Sequence, residues 1–254
     1  MFLLSKRYSG GVFAFITFIT NIITPSFAQT PKTLTSVKTL DLKLGASRII
    51  YGLNSGGASL SVSNLHDYPI LMQGKVFEED KKTSAPFMIT PPISRIDPQQ
   101  QSRLRIVRIG GQMPDNRETL QWICVTGIPP KNTDIWADNN KGEQTSEIAL
   151  NMTVSSRTCI KLLVRPPGIK GSMLDAASAL KWKRQGNKLT ATNPSAFYIH
   201  LSSLSVGGTA VSDRQYIAPH ASRSYTLTAG ASGQVSWTVI TDLGGESRAF
   251  ESAL

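Results

Sequence analysis

Apolar and polar residues alternate with a period of two along much of this chain. In the clearest stretch Ile148, Leu150, Met152 and Val154 are spaced by Ala149, Asn151 and Thr153, which gives an extended strand one strongly apolar face. Strand composition recurs at residues 47–51, 58–65, 70–77, 87–89, 102–107, 121–126 and 147–164. Between these runs stand Asn54-Ser55-Gly56-Gly57, His66-Asp67, Asp97-Pro98 and residues 78–83 and 110–116, all with turn chemistry. Short strands punctuated this often predict an antiparallel sandwich of immunoglobulin type. After the stop at Pro166-Pro167-Gly168 a second series begins, at residues 180–184, 188–192, 197–206, 225–227, 235–240 and 247–251. The predicted fold class is all-β, with two immunoglobulin-like β-sandwich domains, a larger one over residues 29–167 and a smaller one over residues 168–254. Residues 29–37 read as a polar, flexible leader. Residues 131–146 read as a polar loop much longer than a hairpin needs, placed just before the alternating strand.

The N-terminus changes the picture. Lys6 and Arg7 precede an apolar run at residues 12–18 and Ile22-Ile23, and Ser26-Phe27-Ala28 supplies the small residues of a signal-peptidase site. Thr17, Thr20, Asn21 and Pro25 interrupt the apolar run, so residues 1–28 read as a removed secretory signal, with an uncleaved anchor as the alternative. No later segment is apolar enough to span a bilayer, so no stable membrane insertion is expected. The formal net charge of +10 falls to +10 − 2 = +8 without Lys6 and Arg7. Lys and Arg are scattered rather than gathered into a stripe, and an exported chain is a poor candidate for nucleic acid.

Two cysteines, Cys124 and Cys159, are an even count in an exported chain, which favours a disulfide across 159 − 124 = 35 residues; two buried free thiols are the alternative. His66, His200 and His220 stand at no ligand spacing, so no metal is expected. No Gly-x-Ser-x-Gly elbow and no paired carboxylates occur, so no catalytic residue and no cofactor is expected.

Several motifs then agree in order. Ser47-Arg48-Ile49-Ile50-Tyr51, Ile89-Thr90-Pro91-Pro92, Arg117-Glu118-Thr119-Leu120-Gln121-Trp122, Gly127-Ile128-Pro129-Pro130 and Ile160-Lys161-Leu162-Leu163-Val164-Arg165-Pro166 together resemble the PapD-like periplasmic pilus chaperones of the chaperone–usher pathway. The second half is similar only through Asn193-Pro194 and Thr241-Asp242-Leu243-Gly244-Gly245. The cysteines and the long loop resemble the long-loop subgroup, of the F1 capsule chaperone type, which serves thin or capsule-like fibres.

The resemblance implies an L-shaped, two-domain periplasmic chaperone that caps fimbrial or capsule-like fibre subunits by donor-strand complementation and delivers them to an outer-membrane usher. It implies that Ile148, Leu150, Met152 and Val154 fill a subunit's groove, and that Arg48 and Lys161 hold the subunit's C-terminal carboxylate. Glu118, Arg165 and Asp242 fall at an interdomain ion network. Self-association is an option for the free protein. The competing expectation is a secreted two-domain structural or adhesive fibre module, in which residues 33–44 would act as a self-complementing extension.

Overall fold

The structure is a computed structural model, and it describes residues 35–38, 42–128, 130, 136, 150–153 and 155–254. The signal segment, Ile148, Val154 and, apart from Trp136, residues 131–146 lie outside the described residues.

The first sandwich is built from β1 (Thr35–Lys38), β2 (Leu42–Leu44), β3 (Arg48–Gly52), β4 (Ala58–Asn64), β5 (Ile70–Phe77), β6 (Phe87–Thr90), β7 (Ile93–Ile96), β8 (Gln101–Arg108), β9 (Thr119–Ile128), β10 (Leu150–Thr153) and β11 (Ser156–Arg165). One sheet has the order β3-β11-β9-β5-β7, the facing sheet β2-β4-β8-β6, and β1 pairs with β10. Period-two burial drives their packing. Leu60 and Val62 on β4, Leu104 and Ile106 on β8, Ile123 and Val125 on β9, and Leu162 and Val164 on β11 all point into one shared core.

The N-terminal strand changes partners twice. β1 runs parallel to β10, with Thr35 opposite Leu150. β2 crosses to pair with β4, and β3 returns to run parallel to β11, with Arg48 opposite Lys161. Residues 35–37 are therefore strand rather than leader. The reason is an available edge: a ladder with β10 satisfies backbone groups that a free leader would leave to water. The stretch at residues 147–164 also divides, into β10 and β11, and Ser155 between them is outside either strand.

The second sandwich comprises α1 (Met173–Ser178), β12 (Lys181–Gln185), β13 (Lys188–Thr192), β14 (Leu201–Val206), β15 (Thr209–Ala210), β16 (Ser222–Thr226), β17 (Val235–Val239) and β18 (Phe250–Ser252). Sheets β12-β13-β16 and β15-β14-β17-β18 enclose Leu189, Val206, Tyr225, Val235 and Trp237. The one-and-a-half-turn helix α1 exists because Ser172 caps it and Asp175 returns the bond to the cap, the reciprocal capping box. It closes one end of the sandwich, burying Met173, Ala176 and Ala177 and accepting the Trp237 Nε1–H on the Ala177 carbonyl at 3.2 Å.

Each sandwich buries one asparagine that satisfies a corner. Asn64 Nδ2 donates to the carbonyls of Tyr68, Ile96 and Asp97, and Asn193 Nδ2 donates to those of Phe197 and Ala218.

Cys124 and Cys159 face each other across β9 and β11 and form a disulfide. Closing a 35-residue loop stabilises the chain by at most about 4 kcal/mol through the unfolded state. Replacing both cysteines with alanine is expected to lower the free energy of unfolding by about 2–4 kcal/mol while retaining the strand content. Urea unfolding of the oxidised protein and the double variant, followed by circular dichroism, checks this; equal midpoints would remove the disulfide from the stability of the fold.

Candidate functional site

Three neighbouring strands assemble a row of side chains on the face turned away from the first core. On β3, β11 and β9, Arg48 lies opposite Lys161 and Lys161 opposite Trp122, and Phe77 on β5 continues the row opposite Trp122. Ile160 and Leu162 flank Lys161 in sequence but point the other way into the core. The apolar run is therefore a strand whose one face enters the first core, while the other carries Lys161 and the buried Leu163, which packs with Leu120 and Tyr198 at the domain junction. The disulfide occupies the next position on this same face, two residues along both β9 and β11.

The row opens toward the second domain. Arg48 is only 6% exposed, and its Nη1 donates to the Ile240 carbonyl of the second domain at 2.8 Å. Burial lowers its pKa, with the charges of Asp242 and Glu118 opposing that shift. Lys161 is half-buried, its Nζ 5.3 Å from the centre of the Trp122 ring, and Lys81 sits over the same ring at 3.8 Å. Burial is the main cause of the lowered pKa of Lys161, followed by repulsion from Arg48 and Lys81. Among the described residues no carboxylate forms an ion pair with either Arg48 or Lys161. Two cations are thus held adjacent, partly out of water and short of negative charge, which is the electrostatic profile of an anion site.

A second set of charges is fully paired. Arg165 Nε donates to Glu118 Oε1 at 2.6 Å, while Nη1 and Nη2 donate to the two Asp242 oxygens at 2.7 and 2.9 Å. Glu118 is 1% exposed and accepts the Tyr198 backbone N–H at 2.8 Å on its other oxygen. Burial raises the Glu118 pKa against the opposing charge of Arg165. For Arg165, burial works against the charge, and the bonds to Asp242 and the charge of Glu118 more than offset it, so its pKa rises. This network spans the two domains: Glu118 and Arg165 belong to the first, Tyr198 and Asp242 to the second.

Further groups at this junction carry no sequence signal of their own. Glu79, in a turn, accepts the hydroxyls of Tyr216 at 2.5 Å and Tyr198 at 3.3 Å, and that carboxylate together with burial pushes the Tyr216 pKa up to about 12. His200 is 3% exposed, packed against Tyr198 and Tyr216, and its pKa is pushed down to about 2 by burial and by the charges of Lys161 and Arg48. A cavity of about 800 Å³ opens beside the network, lined by Glu78, Glu79, Asp80 and Glu118 among others.

Of the alternating strand, Leu150 and Met152 fall in β10 at alternate positions, opposite Thr35 and Val37. Among the described residues β1 is the only hydrogen-bonded neighbour of β10.

Comparison with known proteins gives a consistent picture. Residues 41–170 match the family described as pili and flagellar-assembly chaperone, PapD N-terminal domain, and residues 175–251 match pili assembly chaperone PapD, C-terminal domain. The chain is 52% identical over 199 residues to chaperone protein AfaB of Escherichia coli, covering 78% of this chain and 81% of that protein. It is 40% identical over 221 residues to chaperone protein caf1M of Yersinia pestis, covering 84% and 85%. The crystal structure of the E. coli chaperone DraB is similar with a TM-score of 0.78 at 49% identity, over 87% of this chain and 100% of that one. A chain of the Salmonella enterica complex between the SafA pilin and the SafB chaperone is similar with a TM-score of 0.77 at 42% identity, over 87% and 99%.

The pKa of His200 generates a pH dependence with a definite sign. Unfolded, the histidine takes up a proton below about pH 6.5, and folded it does not, so stability falls as pH drops through that value. Between pH 7 and pH 5 this one group costs about 2 kcal/mol. Glu118, with its raised pKa, acts in the opposite direction. His200→Phe is therefore expected to be less acid-sensitive than the parent, read as urea midpoints at pH 7 and pH 5. Parallel losses in the two proteins would show that His200 is not the acid-labile group.

Proposed function

Because the chain belongs to the PapD-like family of periplasmic, non-catalytic pilus chaperones, in its long-loop, F1 capsule type, we propose that it captures fimbrial or capsule-like fibre subunits by lending them a strand, and passes them to an outer-membrane usher. Export by residues 1–28 is part of the same proposal. The observation that carries the reading is the Arg48–Lys161 pair: two adjacent, partly desolvated cations with no carboxylate partner among the described residues, at the inner end of the strand that runs out toward β10.

The mechanism follows from two deficits of an incomplete subunit. A sandwich missing its last strand exposes unpaired backbone groups and an apolar groove, and such an edge aggregates unless covered. The stretch from residue 147 to 156 supplies the hydrogen-bonding edge, while Ile148, Leu150, Met152 and Val154 supply alternate side chains for the groove. Each such side chain contributes about 1.5–3 kcal/mol when buried, before ordering costs. Alternation alone does not fix which side chain enters which pocket, because a strand can slip by two residues and keep its apolar face. A charge-assisted grip of the subunit's terminal carboxylate by Arg48 and Lys161 removes that freedom and sets the register. The network of Arg165, Glu118 and Asp242 fixes the angle at which the second domain meets the row. β1, paired with β10, widens the platform on one edge, as the chaperone reading requires of this segment.

Periplasmic co-expression with candidate subunits, followed by pull-down, tests this. The expected result is one small β-rich partner at a one-to-one ratio, lost in Leu150→Asp and failing to accumulate with Arg48→Ala or Lys161→Ala, each of which remains folded. Wild-type subunit levels with both alanine variants would sink the anchoring role. Recovery of the chain alone, or as a self-polymer indifferent to Leu150→Asp, would support the fibre-module reading.

A further inference from the structure

The anchoring arginine is not held by its own domain. Its one hydrogen bond among the described residues runs from Nη1 to the Ile240 carbonyl, which lies at the base of a hairpin in the second domain. That hairpin is tightly built over residues 240–246. Ile240 bridges to Glu246, the Thr241 N–H donates to the Gly245 carbonyl at 2.7 Å, and the Gly244 N–H donates to the Thr241 carbonyl at 2.9 Å. At its base the Ile240 N–H donates to the His200 carbonyl at 2.9 Å. Leu243 at the tip is 99% exposed, so the hairpin is not anchored by burying its own side chain. What fixes it against the first domain is polar and close-range: Asp242 on Arg165, Ile240 on Arg48, and Gly244 against Ser47.

The last contact is close, so a side chain at Gly244 must turn the Ser47 hydroxyl aside. Gly244 has φ +86°, a left-handed conformation, and a Cβ built there would lie 2.5 Å from Ser47 Oγ. Ser47 is the residue immediately before Arg48, so the distance at which the hairpin meets Ser47 also sets where the Ile240 carbonyl meets the guanidinium.

We infer that the 240–246 hairpin of the second domain is a positioning element for Arg48, and that Gly244 is the positioning residue that admits it to Ser47 at the distance the Arg48–Ile240 bond requires. The inference rests on the reading of Arg48 as the subunit's carboxylate anchor and extends it: the anchor is completed by the docking of the two domains rather than by the first domain alone. An arginine has several rotatable bonds, and fixing one guanidinium nitrogen in advance spares the entropy that a subunit's carboxylate would otherwise spend in ordering it. It also leaves the Nη2 donors unengaged among the described residues, whereas Nε is buried without a partner.

The test is made on the free, isotopically labelled chain, by the hydrogen-exchange rates of the Arg48 guanidinium, assigned by comparison with Arg48→Lys. Two variants widen the same contact from opposite sides. Gly244→Ala adds the clashing Cβ, and Ser47→Phe enlarges an exposed residue with no demand on a left-handed turn, so it remains informative if the first variant folds poorly. Both are expected to speed exchange about tenfold, the loss of one charge-assisted hydrogen bond. Wild-type exchange in both single variants would overturn the positioning role. No subunit enters this measurement, so its failure is distinct from a failure of the anchoring role, which is read by subunit accumulation with Arg48→Ala.

Discussion

Two cations side by side, partly withdrawn from water and paired with no carboxylate among the described residues, are the constraint to which the rest of this molecule answers. Directly opposed like charges on neighbouring strands repel, and burial adds a desolvation cost to each. The lowered pKa values of Arg48 and Lys161 record that cost, with burial the larger cause in both. Among the described residues no carboxylate pairs with either cation to offset that cost. A fold can carry such a site only if the strands bearing it cannot shift to separate the charges. Here the central sheet provides that rigidity: β11 lies between β3 and β9, pinned to β9 by nine consecutive register partners and by the Cys124–Cys159 bridge on the same face.

The second domain enters the same problem from the other side. The paired network of Arg165 with Glu118 and Asp242 is the complement of the unpaired row, and the two are separated by four residues on β11, from Lys161 to Arg165. A buried ion network is weak support for stability, because desolvation consumes most of what pairing returns; its value lies in specificity of arrangement. Three of its hydrogen bonds cross the domain junction, two from Arg165 to Asp242 and one from Tyr198 to Glu118. Glu79 adds two more from the tyrosine hydroxyls. Such bonds are directional, so they specify one angle between the domains in a way an oily contact would not.

How much of this could be read from the residues depends on where each signal resides. Ile70–Phe77 and Lys188–Thr192 were legible to the residue because period-two alternation runs their full length. The expected strand at residues 197–206 begins instead at Leu201, because residues 197–200 are all buried: at the domain junction both sides of the chain are covered, and alternation carries no information there. The helix at Met173 was missed although Ser172 and Asp175 are a capping box, since six helical residues are too few for a helical period to emerge. β7 was missed between Pro92 and Asp97-Pro98, where turn residues dominate the composition. At the site, Arg48 and Lys161 stood out through motif placement. Glu79, Tyr216 and His200 gave no such sign, because what makes each matter is a neighbour supplied by another strand or by the other domain.

That division has a physical basis. Local sequence encodes which face of a strand is oily, and the core follows from it. The cationic row is the opposite face of the same strands, where Ile50, Leu120 and Leu163 pack with Tyr198 of the second domain. The burial of that face depends on the second domain covering it. Arg48 is then buried against Ile240, and His200 is kept neutral between the tyrosines and the cations. A neutral imidazole matters to the balance, because a third positive charge at that position would raise the repulsion the sheet must already hold. The depth of burial that keeps His200 uncharged and the docking that orients Arg48 are one and the same event, closure of the second domain over the β3-β11-β9 face. Loosening that closure would at once hydrate the cations and free the arginine, and an exposed, mobile pair of charges holds a carboxylate far less tightly than an ordered, partly desolvated one.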